Sequence, residues 1–178
     1  KNADWIQRAL ARLQKRPQAK QKEFVSGEVF LFLGKSCPLE VRNDTDQPLD
    51  WRDGFILDAK ERSRGRALFI AWYKQEAKKI IAERVAWWAQ RADLAYHSVN
   101  ITCANRRWGS CSPTDRLNFS WRLVMAPIEV IDYVVVHELA HIPHKNHSRR
   151  FWDRVKEMYP DYKEAQSWLR ENEGMLNL

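Results

Sequence analysis

Four of the chain's five histidines, His137, His141, His144 and His147, fall within eleven residues of the stretch YVVVHELAHIPHKNHSRRFW that runs from Tyr133 to Trp152. Imidazoles at that density are the donors a transition metal takes. In an α-helix each residue advances about 100° around the axis, so His137 and His141 lie roughly 40° apart on one face and Glu138 stands beside them. This is the HExxH spacing, in which two imidazoles hold one ion while a carboxylate reaches the water on it. A tetrahedral catalytic zinc takes three protein donors and keeps one position open, so a third must come from elsewhere. Pro143 cannot continue a helix and disfavours helical geometry at Ile142, which ends the helix near His141 or Ile142 and lets the chain turn back with His147. A downstream glutamate, Glu157 or Glu164, is the alternative third donor. Zn2+ on His137, His141 and His147 would lower the pKa of its water from about 15.7 to about 7. Glu138, itself not a ligand, would take that proton as general base and pass it to the leaving group. His144 is left as an exposed turn residue or a substrate contact.

Periodicity predicts the elements that position these groups. A helix-compatible run from Pro127 carries Val134, Val135 and Val136 as a buried backing for the histidines. Before it, Ser98–Cys103 and Leu117–Val124 read as strands of a hairpin that brackets the loop Arg106–Asp115. Leu117–Trp121 is the candidate edge for an extended substrate, with an ordinary core hairpin as the alternative. Trp108 and Trp121 read as core residues, and Gly109 as a tight-turn residue. After the histidines, Ser148 is placed to cap a helix whose Phe151, Trp152, Val155 and Met158 face inward until Pro160, and a last helix covers Tyr162–Glu171. Upstream, Asp4–Lys15 has the spacing of a short leading helix, followed by the polar stretch Arg16–Lys22. Val29, Leu31 and Leu33 alternate up to Gly34-Lys35-Ser36, Leu39 and Val41 resume, and Phe55–Leu57 makes a third strand, predicting an antiparallel N-terminal sheet. Beyond an Arg64-Gly65-Arg66 turn, Phe69, Trp72, Tyr73, Ala77, Ile80, Ile81, Val85 and Trp88 run through a long core-building helix. The result is one α+β domain over residues 1–178, with residues 1–22 as leading helix and linker and residues 98–169 as the metal-site core.

At 178 residues the chain can bury a sizeable core without staples. Its three cysteines, without paired spacing, and its lack of an apolar run near 18 residues point to a soluble protein of a reducing compartment, the cytoplasm by default, with no membrane partner. Cys37, Cys103 and Cys111 read as small buried apolar residues, Cys111 alone lying near enough in sequence to reach the site. Lys and Arg number 30 against 23 Asp and Glu, a formal charge of +7 that favours anionic partners. Most of the excess is spread over solvated faces, but Arg106, Arg107, Arg122, Arg149 and Arg150 flank the histidines and would suit phosphate, nucleic acid or a carboxylate end.

Several blocks match one pattern in order: Arg107-Trp108-Gly109-Ser110-Cys111-Ser112, then Leu117 to Leu123, then Ala126 to His141, then Asn146-His147-Ser148 with Phe151-Trp152, then Pro160 to Lys163. In these the chain resembles the YgjP-like metallopeptidase family, which is related to the SprT-like and WLM domains. The resemblance implies a zincin-like fold: antiparallel N-terminal strands, a long helix, a hairpin, the HExxH helix and C-terminal helices. It also implies zinc on His137, His141 and His147, Glu138 as catalytic base, and a peptide or protein substrate. The interval from His141 to His147 equals that of the HExxHxxGxxH zincins, with His144 at the glycine position. Ser120 stands where the family pattern usually shows asparagine, Pro143-His144 is unusual after the second histidine, and the start at Lys1 lacks a β-rich basic segment, as a fragment or divergent member would. His144, Arg107, Arg122 and Asn118 are the candidate substrate contacts. The competing readings are a nucleoside triphosphate hydrolase at the same site, a nucleic-acid-associated protease module, and a closed structural zinc site with His144 as fourth ligand.

Overall fold

The computed structural model describes residues 21–178. The expected leading helix, Asp4–Lys15, lies outside those residues. Among the described residues, two small sheets and four helices share one hydrophobic core. The first sheet has the order β1-β2-β4-β3, built from β1 (Val29–Phe32), β2 (Lys35–Arg42), β3 (Leu49–Trp51) and β4 (Phe55–Asp58). It is mixed rather than wholly antiparallel: β1–β2 and β3–β4 are antiparallel, but β2 and β4 run parallel. The cause is β3, three residues too short to leave an alternation in the sequence, which takes the outer edge and returns the chain as β4 beside β2. The β1–β2 turn is Leu33-Gly34, both with positive φ (49° and 76°), one step earlier than the sequence suggests. Its tip donates from Leu33 N to Val124 O (2.8 Å) and from Gly34 N to Met125 O (3.1 Å), on the segment that leads into the histidine helix. A Cβ on Gly34 would stand 2.7 Å from Pro127 Cγ, so this contact needs glycine for room as well as for its backbone angle.

A 3-10 turn, Ala59–Arg64, is capped by the Asp58 carboxylate, which accepts from Lys60 N at 2.8 Å. It leads into α1 (Gly65–Ala92), whose inner stripe of Phe69, Tyr73, Ala77, Ile81 and Val85 is fully buried. The helix stops where Asp93 adopts left-handed geometry (φ 52°). The second sheet has the order β5-β7-β6, from β5 (Ser98–Thr102), β6 (Gly109–Cys111) and β7 (Arg116–Ser120). The two strands expected to form a hairpin, β5 and β7, are in fact parallel neighbours, and the hairpin is β6–β7, with β6 arising inside the predicted loop. β7 also ends sooner than the sequence suggests: Trp121–Met125 is a buried 3-10 segment.

Helix α2 (Ile128–Ala140) then crosses the core with Val135, Val136, Leu139 and Ala140 at 0% exposure. Arg84 of α1 grips Asp132 of α2 in a bidentate pair (2.6 and 2.7 Å) that fixes the two helices against each other. Helix α3 (Arg149–Met158) buries Phe151 and Val155, leaving Trp152 and Met158 only half-buried, and α4 (Tyr162–Asn172) buries Ala165 and Leu169. No helix among the described residues is long and apolar enough to cross a membrane.

Candidate metal centre

Pro127, with φ of −55°, sets the start of α2, and the helix stops at Ala140 with His141 as its C-cap. His137 and His141 therefore leave the same face of the helix end. Ile142 N then donates to Leu139 O (3.0 Å) and His144 N to Ala140 O (3.2 Å), a turn that reverses the chain ahead of α3. His147 returns on that reversal. The donor nitrogens of His137, His141 and His147 all lie within 4.8 Å of one another, and Nε2 of His147 is 3.0 Å from Nε2 of His137. Zinc–nitrogen bonds of about 2.05 Å at tetrahedral angles put two nitrogens about 3.3 Å apart, so the spacing suits a shared ion. Phe151 floors the group, with ring centroids 4.9, 4.5 and 4.7 Å from the three imidazoles, and Trp152 closes one side at 5.8 Å from His137 and from His147. That apolar wall excludes water from behind the donors.

Burial, and then the neighbouring imidazoles, push His137 down to about 3, so its ring stays neutral and its lone pair free. Burial lowers His141 as well. His141 Nδ1 faces the carbonyl of His144 at 3.0 Å, which fixes the ring and turns Nε2 toward the other histidines. His144 thus serves through its backbone, and its imidazole is not in the converging group. Glu157 accepts from Arg154, and neither it nor Glu164 joins the histidines.

Glu138 is 5% exposed, and burial pushes its carboxyl up to about 8 against a smaller opposite pull from Arg107. Its neighbour is β6. A Cβ on Gly109 would stand 2.5 Å from Glu138 Oε1, so this glycine is required for close approach and not for a turn. Gly109 pairs with Phe119 and Ser110 with Asn118. Side chains alternate across a sheet, so Asn118 lies on the face turned away from Glu138, where it joins Asn100 and Ser110 in a polar ladder. That removes Asn118 from the candidate contacts. Arg122 is removed too: it is 8% exposed, donates to Ala104 O at 2.9 Å and lies over the Trp108 ring. Arg107 is exposed and remains on the site's rim. The Leu117–Trp121 segment is not an edge, since β7 is the central strand; the edge beside the site is β6.

Sequence reasoning missed two features. One is the Gly109–Glu138 contact, for which only the position of a glycine in a short strand could have been a signal. The other is an ion pair from Lys145, in the turn between His141 and His147, to Asp115 in the β6–β7 turn. Of the cysteines, Cys37 is buried, Cys103 is exposed against expectation, and Cys111 is half-buried with Lys145 Nζ 3.8 Å from its sulfur.

An α+β chain that gathers three imidazoles at the end of one helix, against a buried glutamate and an open strand edge, has the build of a metal-dependent peptidase. The family model described as YgjP-like, metallopeptidase domain, matches residues 1–172, and the chain belongs to that family. Among solved structures it is similar to the metallopeptidase zymogen abylysin of Pyrococcus abyssi, at 20% identity and a TM-score of 0.46, over 52% of this chain and 97% of that one. It is also similar to the metallopeptidase zymogen jannalysin of Methanocaldococcus jannaschii, at 18% identity and a TM-score of 0.45, over 51% of this chain and 93% of that one. No curated protein matches the chain.

Proposed function

We propose that the chain is a zinc peptidase that cleaves a polypeptide lying as an added strand along β6, with His137, His141 and His147 on the metal and Glu138 as general base. The observation that carries this reading is the convergence of three ring nitrogens within 4.8 Å of one another, beside a buried carboxyl. Imidazole donors suit zinc, and three of them leave the fourth tetrahedral position open for chemistry. Zinc bound there supplies carbonyl polarisation and acidified water. Burial keeps Glu138 protonated to about 8 in the metal-free chain, and a divalent charge beside it favours the carboxylate, the form that accepts a proton from water and returns it to the leaving amine.

The edge strand supports a peptide substrate. Ser120 N donates to Trp108 O and Ser112 N to Arg116 O, both at 2.9 Å. Pairing to β7 therefore falls on alternate residues, and Gly109 and Cys111 direct their N–H and C=O groups to the open side. An extended backbone added there runs past Glu138. Below it a cavity of about 200 Å³ is lined by Trp108, Gly109, Tyr133, Val134 and Leu169, together with His137 and Glu138. Such a lining suits an uncharged side chain next to the scissile bond. The cavity lining carries no lysine or arginine and Arg122 is committed to Ala104 and Trp108, which favours a peptide over a triphosphate, while Arg107 stays on the rim.

The test is hydrolysis of an unfolded protein, a peptide library and nucleoside triphosphates by zinc-reconstituted wild type and Glu138→Gln. The variant is expected to hold zinc at the wild-type stoichiometry and to lose peptide turnover by about 10²–10⁴-fold. Turnover that survives the substitution removes Glu138 as base, and hydrolysis of nucleotides in place of peptides removes the substrate assignment.

A further inference from the structure

We propose that Lys145 is the positioning residue for the third metal donor: it ties the link between α2 and α3 to the β6–β7 turn and so holds His147 in place. The inference rests on the metal-site reading above and adds to it a residue outside the donor set. His137 and His141 are set by a helix embedded in the core, whereas His147 is the exposed member of the group and lies in the link. Most hydrogen bonds recorded for the link are local: Ile142 N to Leu139 O, His144 N to Ala140 O, and Ser148 N to Asn146 Oδ1 at 3.3 Å. They shape it, and the His147 ring rests on Phe151 (4.7 Å) at the start of α3, but neither ties the link to the second sheet.

Lys145 makes that attachment. Its ammonium pairs with the Asp115 carboxylate, donates to Ser112 O at 3.3 Å and lies 3.8 Å from Cys111 Sγ. The anchor is stiff. Asp115 N donates to Ser112 O (3.1 Å), Ser112 Oγ accepts from Thr114 N (3.2 Å) and Arg116 N (3.0 Å), and Asp115 O accepts from His97 N (2.9 Å). Asp115 itself has left-handed backbone geometry (φ 54°), which asparagine adopts equally well. Asp115→Asn therefore removes the charge and leaves the turn. Because the turn leads out of β6, the strand that packs on Glu138, the lysine also fixes the third donor relative to the base and the substrate edge.

Outer-shell partners of metal ligands are worth about 10–100-fold in metal affinity, and a half-exposed ion pair belongs at the lower end. The experiment is competition for Zn2+ between a chromophoric chelator and the full metal-stripped chain, at low and high salt, with metal-free melting temperatures measured in parallel. Lys145→Met and Asp115→Asn are each expected to weaken Zn2+ about tenfold, and the double variant no more than either alone. Lys145→Arg should keep wild-type affinity, and the Co2+ spectrum should change in Lys145→Met but not in Lys145→Arg. High salt should narrow the gap between wild type and variants. Wild-type affinity in Lys145→Met, or losses that add in the double variant, overturns the proposal. Should Lys145→Met fail to fold, wild-type affinity in Asp115→Asn overturns it on its own. A wild-type chain that binds no Zn2+ removes the metal-site reading and this inference together, an outcome distinct from unchanged affinity in the variants.

Discussion

Gly109→Ala is a one-atom perturbation aimed at the proposed base. The added Cβ would stand 2.5 Å from Glu138 Oε1, 2.6 Å from its Cγ and 2.8 Å from its Cδ, where ordinary contact begins at 3.4 Å. Three sub-contact distances along one side chain cannot be relieved by turning its tip, and Glu138 is 5% exposed, so the carboxyl must retreat by about 1 Å into a packed wall. Overpacking of this kind costs about 1–3 kcal/mol of stability, or roughly 2–12 °C in melting temperature for a chain of this size. The effect on chemistry is comparable in energy but easier to read, since a misplacement of about 1 Å in a catalytic group costs about 10²-fold in rate. The assay is kcat/KM on a peptide that wild type cleaves, with bound zinc and melting temperature measured on the same samples. Gly109→Ala should keep its zinc, melt a few degrees lower and lose about two orders of magnitude in kcat. Ser110→Ala, on the opposite face of the same strand, should leave kcat unchanged. A Gly109→Ala chain as active as wild type would show that Glu138 does not work from this position.

Three further outcomes follow from the same geometry. The metal-free chain should lose stability as pH rises: the Glu138 carboxyl has its folded pKa raised to about 8, so the folded state holds the proton more tightly than the unfolded one, and its contribution is complete below the unfolded value and lost as pH passes through 8. Metal-free Glu138→Gln should therefore melt above wild type at pH 9 and converge with it near pH 4.5, and a gap that does not vary with pH contradicts the assignment. Arg84→Met leaves Asp132, with an 11% exposed side chain, without its ion partner and should cost about 2–3 kcal/mol by denaturant unfolding; Asp132→Leu on that background should recover most of it, and a further loss would show the pair is not the lever. Leu169→Trp fills the cavity beside Glu138 and should lower kcat/KM about tenfold or more for peptides with leucine or phenylalanine next to the cleaved bond while sparing alanine; an unchanged ranking of peptides would place the side-chain pocket elsewhere.

The histidine cluster was legible in the sequence because its geometry is local. Helical spacing puts His137 and His141 on one face whatever surrounds the helix, and Pro143 forces the reversal that returns His147. The inner stripe of α1 and the strands at Phe30 and Leu39 were legible for the same reason, since a period of 3.6 or 2 is written into the chain itself. What the tertiary structure decided is every relation between distant segments. Strand pairing is a long-range choice, so the parallel β2–β4 and β5–β7 contacts, and with them the identity of β6 as the open edge, follow from how the sheets pack on α1 and α2. The same packing turns Asn118 away from Glu138, buries Arg122 against the Trp108 ring, and brings Gly109 against the carboxyl and Lys145 against Asp115. Sequence spacing fixes which groups share a face of one element, but which faces meet depends on how the elements jointly bury their apolar surface, and no single segment carries that information.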